Sequence, residues 1–324
     1  MSDVSFEGKV AVVTGAGRGL GRAYARLLSG RGASVVVNDY NVAVDGAPGD
    51  PGDKPAETVA AELCASGASA VANTDSIADP LGAARIVEQA VATFGRLDIL
   101  INNAGLGLCD HIHEEPGPLY DANLNTTLRG TVLMTRTAWP HLVEGGRGRI
   151  LNVSSGAIFG SAWPDGNVLG AYALAKAGVF AFTRQIGRHG EQFGVTANAV
   201  LPVGFSRTNA DEGGAMAGGE FAEFFRKHLP AEAVANDAAF LVSDDCPVSG
   251  QCFSIGGGRV ARVVFAEPRG FWSPNITPEA VRDNWAAVMG DVDAGHNLDG
   301  FQEVVSLDQE FMLMSAAGVG SDQA

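Results

Sequence analysis

The chain has 324 residues, 46% of them hydrophobic, which is enough to bury one large core or two small ones. Its charged residues sum to −15 at pH 7, so no basic surface for nucleic acid or an anionic membrane is expected. No apolar run reaches the ~18 residues that span a bilayer.

Met1–Glu7 lacks the basic and apolar regions of a secretory signal, so none is expected. Cys64, Cys109, Cys246 and Cys252 show no CxxC or Cys/His metal spacing, and reduced thiols in a cytoplasmic protein are the expectation. Lys9–Thr14 is an apolar run of strand length. It leads into Thr14-Gly15-Ala16-Gly17-Arg18-Gly19-Leu20-Gly21 and a helical stretch, Leu20–Arg31. Glycines at a strand–turn–helix junction let the backbone approach a pyrophosphate, whose charge is favoured at the helix N-terminus. Gly15, Arg18, Gly19 and Leu20 are therefore candidate cofactor-binding residues. Asp39 ends the second strand, Ser34–Asn38, 20 residues after Gly19. A carboxylate there accepts hydrogen bonds from an adenosine ribose and repels a 2′-phosphate, which favours NAD over NADP. Arg18 argues the other way, because an arginine beside the turn can hold that phosphate.

Val42–Lys54, rich in Gly, Pro and Asp, reads as a long surface loop before a helix at Ala56–Ser66. Asp75, with Ser76 beside it, follows the apolar stretch Ala70–Ala72. It either accepts from the adenine amine or caps the next helix, Leu81–Phe94. The strand Ile99–Asn102 ends in Asn102-Asn103-Ala104-Gly105, small residues that permit close packing against a cofactor, so Asn102, Ala104 and Gly105 join the candidates. A helix spans Leu119–Glu144. The next strand, Arg149–Ser154, ends at Ser154-Ser155, and Ser155 is preferred as the hydroxyl that meets a substrate oxygen.

The helix Ala171–Phe193 carries Tyr172 and Lys176 four residues apart, on one face. An ammonium one turn away is expected to pull the phenol from a pKa of about 10 toward neutrality, making a proton-transfer group. Val195–Leu201 and Cys252–Ile255 are the last strands, with a helix at Ala231–Val242 between them. His111, His113, His141 and His189 have no metal spacing. From Gly258 the alternation stops. Thr277-Pro278-Glu279 reads as a helix start, and Leu307–Met314 as a second helical patch. The expected architecture is a doubly wound parallel α/β sheet of Rossmann type over 5–257, with 258–324 as an extension.

Taken together, Thr14-Gly15-x-x-x-Gly19-x-Gly21, Asn102-Asn103-Ala104-Gly105, Ser155 and Tyr172-x-x-x-Lys176 resemble the short-chain dehydrogenase/reductase family. The resemblance implies an NAD-dependent oxidoreductase with Tyr172 as general acid/base. Lys176 would hold the nicotinamide ribose, Ser155 would orient the substrate, and Pro202 and Thr208 would lie near the nicotinamide. It also implies a homodimer or homotetramer acting on a small-molecule substrate. Val35–Asp39, Leu128-Arg129-Gly130 and Thr277–Val281 are similar to the (3R)-hydroxyacyl-CoA dehydrogenase unit of multifunctional enzyme type 2, whose relatives include 17β-hydroxysteroid dehydrogenases.

Two departures from the family stand out. Thr127 occupies the position where the family places a relay asparagine, with Asn123 and Asn125 as nearby substitutes. Cys109-Asp110-His111 stand where acyl-CoA relatives carry basic residues. Trp163–Gly166 lengthens the segment between Ser155 and Tyr172, and Phe205–His228, with Phe221, Phe224 and Phe225 on one face, falls where the family has a substrate lid. The expected substrate is a secondary alcohol on a bulky apolar skeleton, a hydroxysteroid or alicyclic alcohol, ahead of a (3R)-hydroxyacyl-CoA. A catalytically silent NAD-binding sensor or scaffold is the alternative of another class.

Overall fold

Every apolar run found in the sequence lies in one sheet. In the computed structural model, the residues described are 3–43, 47–107, 110–111, 117–160, 167–168, 170–204, 219–291 and 297–298. They form β1 (Val10–Thr14), α1 (Gly19–Gly30), β2 (Ser34–Asn38), α2 (Pro55–Ala65), β3 (Ala70–Asn73), α3 (Pro80–Phe94) and β4 (Ile99–Asn102). Next come β5 (Asp110–His111), α4 (Pro118–Asn123), a π-helical turn (Leu124–Arg129), α5 (Gly130–Glu144), β6 (Arg149–Val153) and β7 (Asn167–Val168). The series continues with α6 (Gly170–Gly190), β8 (Thr196–Pro202), α7 (Gly219–His228), α8 (Ala231–Ala239), β9 (Cys252–Gly256) and β10 (Arg259–Val263). After these lie β11 (Phe265–Ala266), α9 (Pro278–Asp283), α10 (Trp285–Val288) and β12 (Asn297–Leu298).

The sheet has eight strands in the order β3-β2-β1-β4-β6-β8-β9-β10. Each neighbouring pair from β3 to β9 is parallel, with Val12 opposite both Val36 and Leu100. The order runs one way from β1 to β3 and the other way from β4 onward, so a crevice opens at the carboxyl ends of β1 and β4. β1 is buried along its whole length and alternates between two cores. Ala11, Val13, Val35 and Val37 pack with residues of α1, α2 and α8, while Val10, Val12, Val36 and Leu100 pack with residues of α3 and α5. This two-faced burial explains why the strands read as continuous apolar runs.

β10 is an addition to the expected strands, because its pattern is mostly exposed and has no apolar run. The expected helix over Leu119–Glu144 is interrupted by the π turn, where Gly130 N–H bonds to Asn125 O, five residues back. The chain divides into two compact units, Met1–Arg262 and Val263–Ala324. In the second, β11 and β12 pair antiparallel, and Thr277 caps α9 through Ala280 N–H. Leu307–Met314, Thr208, Cys109, His113 and Trp163–Gly166 lie outside the described residues.

Candidate active site

The glycine turn is closed by backbone contact. Gly15 and Gly19 have φ of +63° and +51°, a region that other residues enter only with strain. A Cβ on Gly21 would stand 2.1 Å from Gly15 O, and one on Gly15 would stand 2.9 Å from Ala104 Cα. Thr14 Oγ1 accepts from Asn103 N–H at 3.0 Å and Ala104 N–H at 3.1 Å, and Asn103 Nδ2 donates to Thr14 O at 2.9 Å. Asn103 is thus the residue that ties the ends of β1 and β4 together. The sequence does not single it out among the cofactor contacts, and the asparagine doublet is its signal there.

Asp39 is buried, accepting from Gly17 N–H at 2.9 Å and from Asn41 N–H at 2.9 Å. It is held against the turn with carboxylate lone pairs to spare. A turn free of side chains and a fixed carboxylate at the end of β2 fit a dinucleotide and its ribose. Arg18 immediately precedes α1 and reaches Asn41 Oδ1 at 2.9 Å and the Asp53 carboxylate. Leu20 is partly buried against the core.

The other expected contacts divide. Asp75 is engaged by Arg85 Nε at 2.7 Å and by Asn73 Nδ2 at 3.0 Å. The cap of α3 is Asp79, which accepts from Leu81 and Gly82 N–H, so the capping alternative for Asp75 is corrected. Ser76 accepts from Ala78 N–H at 3.2 Å in the turn before α3. The Asn102 side chain faces away from the turn, donating to Asn152 Oδ1 at 2.9 Å and Thr135 Oγ1 at 3.1 Å. Pro202 ends β8 opposite Ile255.

Ser155, Tyr172 and Lys176 come together at the end of β6. Ser154 Oγ donates to Lys176 O at 2.8 Å and is structural, whereas Ser155 caps a short 3-10 turn at Ala157 N–H and hydrogen-bonds the Tyr172 phenol. Lys176 is buried. Its Nζ donates to Val153 O at 2.6 Å and lies 5.7 Å from the Tyr172 ring centroid. Burial lowers the lysine pKa to about 8. The depressed tyrosine pKa expected from the spacing is also corrected. Burial raises the phenol, and only the Ser155 hydrogen bond opposes it. At this distance the ammonium spends its closest contact on Val153 O, and desolvation of the phenolate prevails.

Behind Lys176, Thr127 Oγ1 accepts from Leu106 N–H at 3.3 Å and donates to Asn123 Oδ1 at 3.1 Å. A Cβ on Gly105 would stand 3.0 Å from Thr127 Oγ1 and 3.5 Å from Lys176 Nζ. The strand end therefore approaches both side chains, and a larger residue at Gly105 would fit only if the Thr127 hydroxyl gave way by a few tenths of an ångström. His189 stacks on Trp139 with ring centroids 5.6 Å apart, away from this cluster. Among the described residues no group of His, Cys, Asp and Glu could hold a metal ion, and no helix is long and apolar enough to cross a membrane.

The short chain dehydrogenase family matches residues 9–214. The chain belongs to this family. As a short-chain dehydrogenase it is an oxidoreductase acting on CH–OH groups, with a nicotinamide cofactor and a small-molecule substrate. It is 35% identical over 297 residues to the hydroxyacyl-CoA dehydrogenase ChsB1 of Mycobacterium tuberculosis, covering 87% of this chain and 90% of that one. It is 32% identical to mouse peroxisomal multifunctional enzyme type 2, covering 89% of this chain but spanning only 37% of that protein. A crystal structure of a short chain dehydrogenase from Burkholderia cenocepacia, in complex with NADP, is similar with a TM-score of 0.64 and 29% identity, covering 78% of this chain and 98% of that one.

Proposed function

We propose that this dehydrogenase interconverts a secondary alcohol and a ketone with NAD, using Tyr172 as general acid/base. The observation that carries the reading is the hydrogen bond between the Ser155 and Tyr172 hydroxyls beside the buried Lys176. Both hydroxyls can reach one substrate oxygen. Ser155 steadies that oxygen while Tyr172 gives or takes its proton. Because burial keeps the phenol protonated at neutral pH, the geometry is poised to donate a proton to a ketone. Alcohol oxidation runs through the phenolate, which the Ser155 hydrogen bond favours. When bound, the nicotinamide accepts or returns the carbinol hydride. Gly15, Arg18, Gly19, Leu20 and Ala104 would form its cradle, Asp39 would accept from the adenosine ribose, and Lys176 would donate to the nicotinamide ribose. Asp39 is the ground for NAD over NADP, although the similar Burkholderia protein forms a complex with NADP.

Similarity to the hydroxyacyl-CoA dehydrogenase ChsB1 supports a hydroxyacyl-CoA ahead of a hydroxysteroid or alicyclic alcohol. The net charge of −15 supports the steroid, because it disfavours the phosphates of CoA. Tyr172→Phe should lower turnover by about 10²–10⁴-fold while NAD still binds; retained turnover would sink the reading. Following NAD reduction with 3-hydroxyacyl-CoAs and with hydroxysteroids decides between the two substrates.

A further inference from the structure

Asn41 is the only non-glycine residue with positive φ among the described residues, at +57°. Its side chain organises the loop that follows β2. Asn41 Nδ2 donates to Asp50 O at 2.9 Å and Asp53 O at 2.8 Å, and Gly49 N–H donates to Asn41 O at 2.8 Å. These bonds bring the Asp53 carboxylate onto Arg18 in an ion pair, while Arg18 also reaches Asn41 Oδ1 at 2.9 Å and lies 3.9 Å from Asp39 Oδ1. Arg18 is three-quarters buried, Asp39 more so, and Asp53 is half exposed. One guanidinium thus stands between two carboxylates, where the glycine turn meets the end of β2. A ribose 2′-phosphate would need that guanidinium as its counter-charge.

We infer that Asp53, presented by this loop, is a second acidic determinant of cofactor choice. By occupying Arg18 it denies the turn its phosphate-binding cation, and the Asn41 bonds make this a property of the loop and not of a loose surface pair. The inference rests on the NAD reading above, to which it adds a mechanism that Asp39 alone does not supply. Asp53 touches neither the substrate nor the reacting atoms; it is a positioning residue acting through Arg18.

The test is direct titration of the full-length protein with NAD+ and with NADP+, followed by calorimetry or fluorescence. Asp53→Asn should lower the ratio Kd(NADP+)/Kd(NAD+) by about fivefold, the size expected for removing one partly exposed charge. The shift should shrink at high salt. Asp53→Glu should restore the native ratio, and Asp53→Asn combined with Arg18→Ala should lose the gain. An unchanged ratio in Asp53→Asn, or a gain that survives without Arg18, overturns the inference. Tighter binding of NADP+ than NAD+ by the native protein overturns the NAD reading instead, and the Asp53→Asn ratio still judges the inference.

Discussion

The Thr127 hydroxyl serves two buried neighbours, accepting from Leu106 N–H and donating to Asn123 Oδ1. Thr127 and Asn123 are both buried, and Asn123 Nδ2 has no hydrogen-bond partner among the described residues. Thr127→Val keeps the shape but strands a backbone donor and a side-chain acceptor. A buried polar group left unsatisfied costs about 1–3 kcal/mol, so the variant should melt several degrees below the native protein, whereas Thr127→Ser should melt close to it. Equal melting temperatures for Val and native would show that these bonds contribute nothing. Gly105, just beyond the end of β4, lies close to both Thr127 and Lys176.

The turn between β1 and α1 carries more constraint than its length suggests. Gly21 lies in the first turn of α1, and a Cβ there would stand 2.1 Å from Gly15 O and 2.6 Å from Asn103 Nδ2. The first of these is backbone and cannot rotate aside, so the helix itself would have to move. Gly21→Ala should therefore cost about 1–3 kcal/mol, as overpacking does, and weaken NAD binding as well as lower the melting temperature. Native NAD affinity in that variant would show that the turn tolerates displacement of the helix. The π turn between α4 and α5 is another departure from regular spacing. It is accompanied by Thr131 Oγ1 donating to Thr127 O at 2.7 Å and by Gly130 packed so closely on Ile77 that a Cβ would stand 2.7 Å from its Cδ1. Neither contact is visible in hydrophobic periodicity, which reads the same stretch as one helix.

Stability of the whole protein should depend on pH in a way set by buried groups. Lys176 falls from 10.5 to about 8 on burial. Between those values the unfolded chain holds a proton that the folded chain has released, so its contribution to stability grows as pH rises. The Cys252 thiol is pushed up to about 12 by burial, and the Tyr24 phenol is raised by burial and then by Asp237. These two keep protons that the unfolded chain releases above pH of about 8.5–10, so their contribution is lost as pH climbs further. Denaturation midpoints should rise from pH 8 to 9 and fall above it, and Lys176→Met should abolish the rise. A native midpoint that is flat or falling from pH 8 to 9 would refute this.

The same division separates what neighbouring residues specify from what distant ones do. Strand runs such as Ser34–Asn38 and Ile99–Asn102, and the glycine turn between β1 and α1, are legible in the chain because periodicity and turn chemistry are local. The Tyr172–Lys176 spacing likewise places both groups on one helix face. Other features need segments tens of residues apart to meet. Arg18 is taken by Asp53, Asn102 turns across to Asn152, and Asn103 locks the turn. β10 joins the sheet with no apolar run to announce it. Even the Tyr172 pKa belongs here, since its direction is set by burial among other elements and not by the lysine one turn away. Charge, burial and hydrogen bonding act through space, and the distances that govern them exist only once the chain has folded.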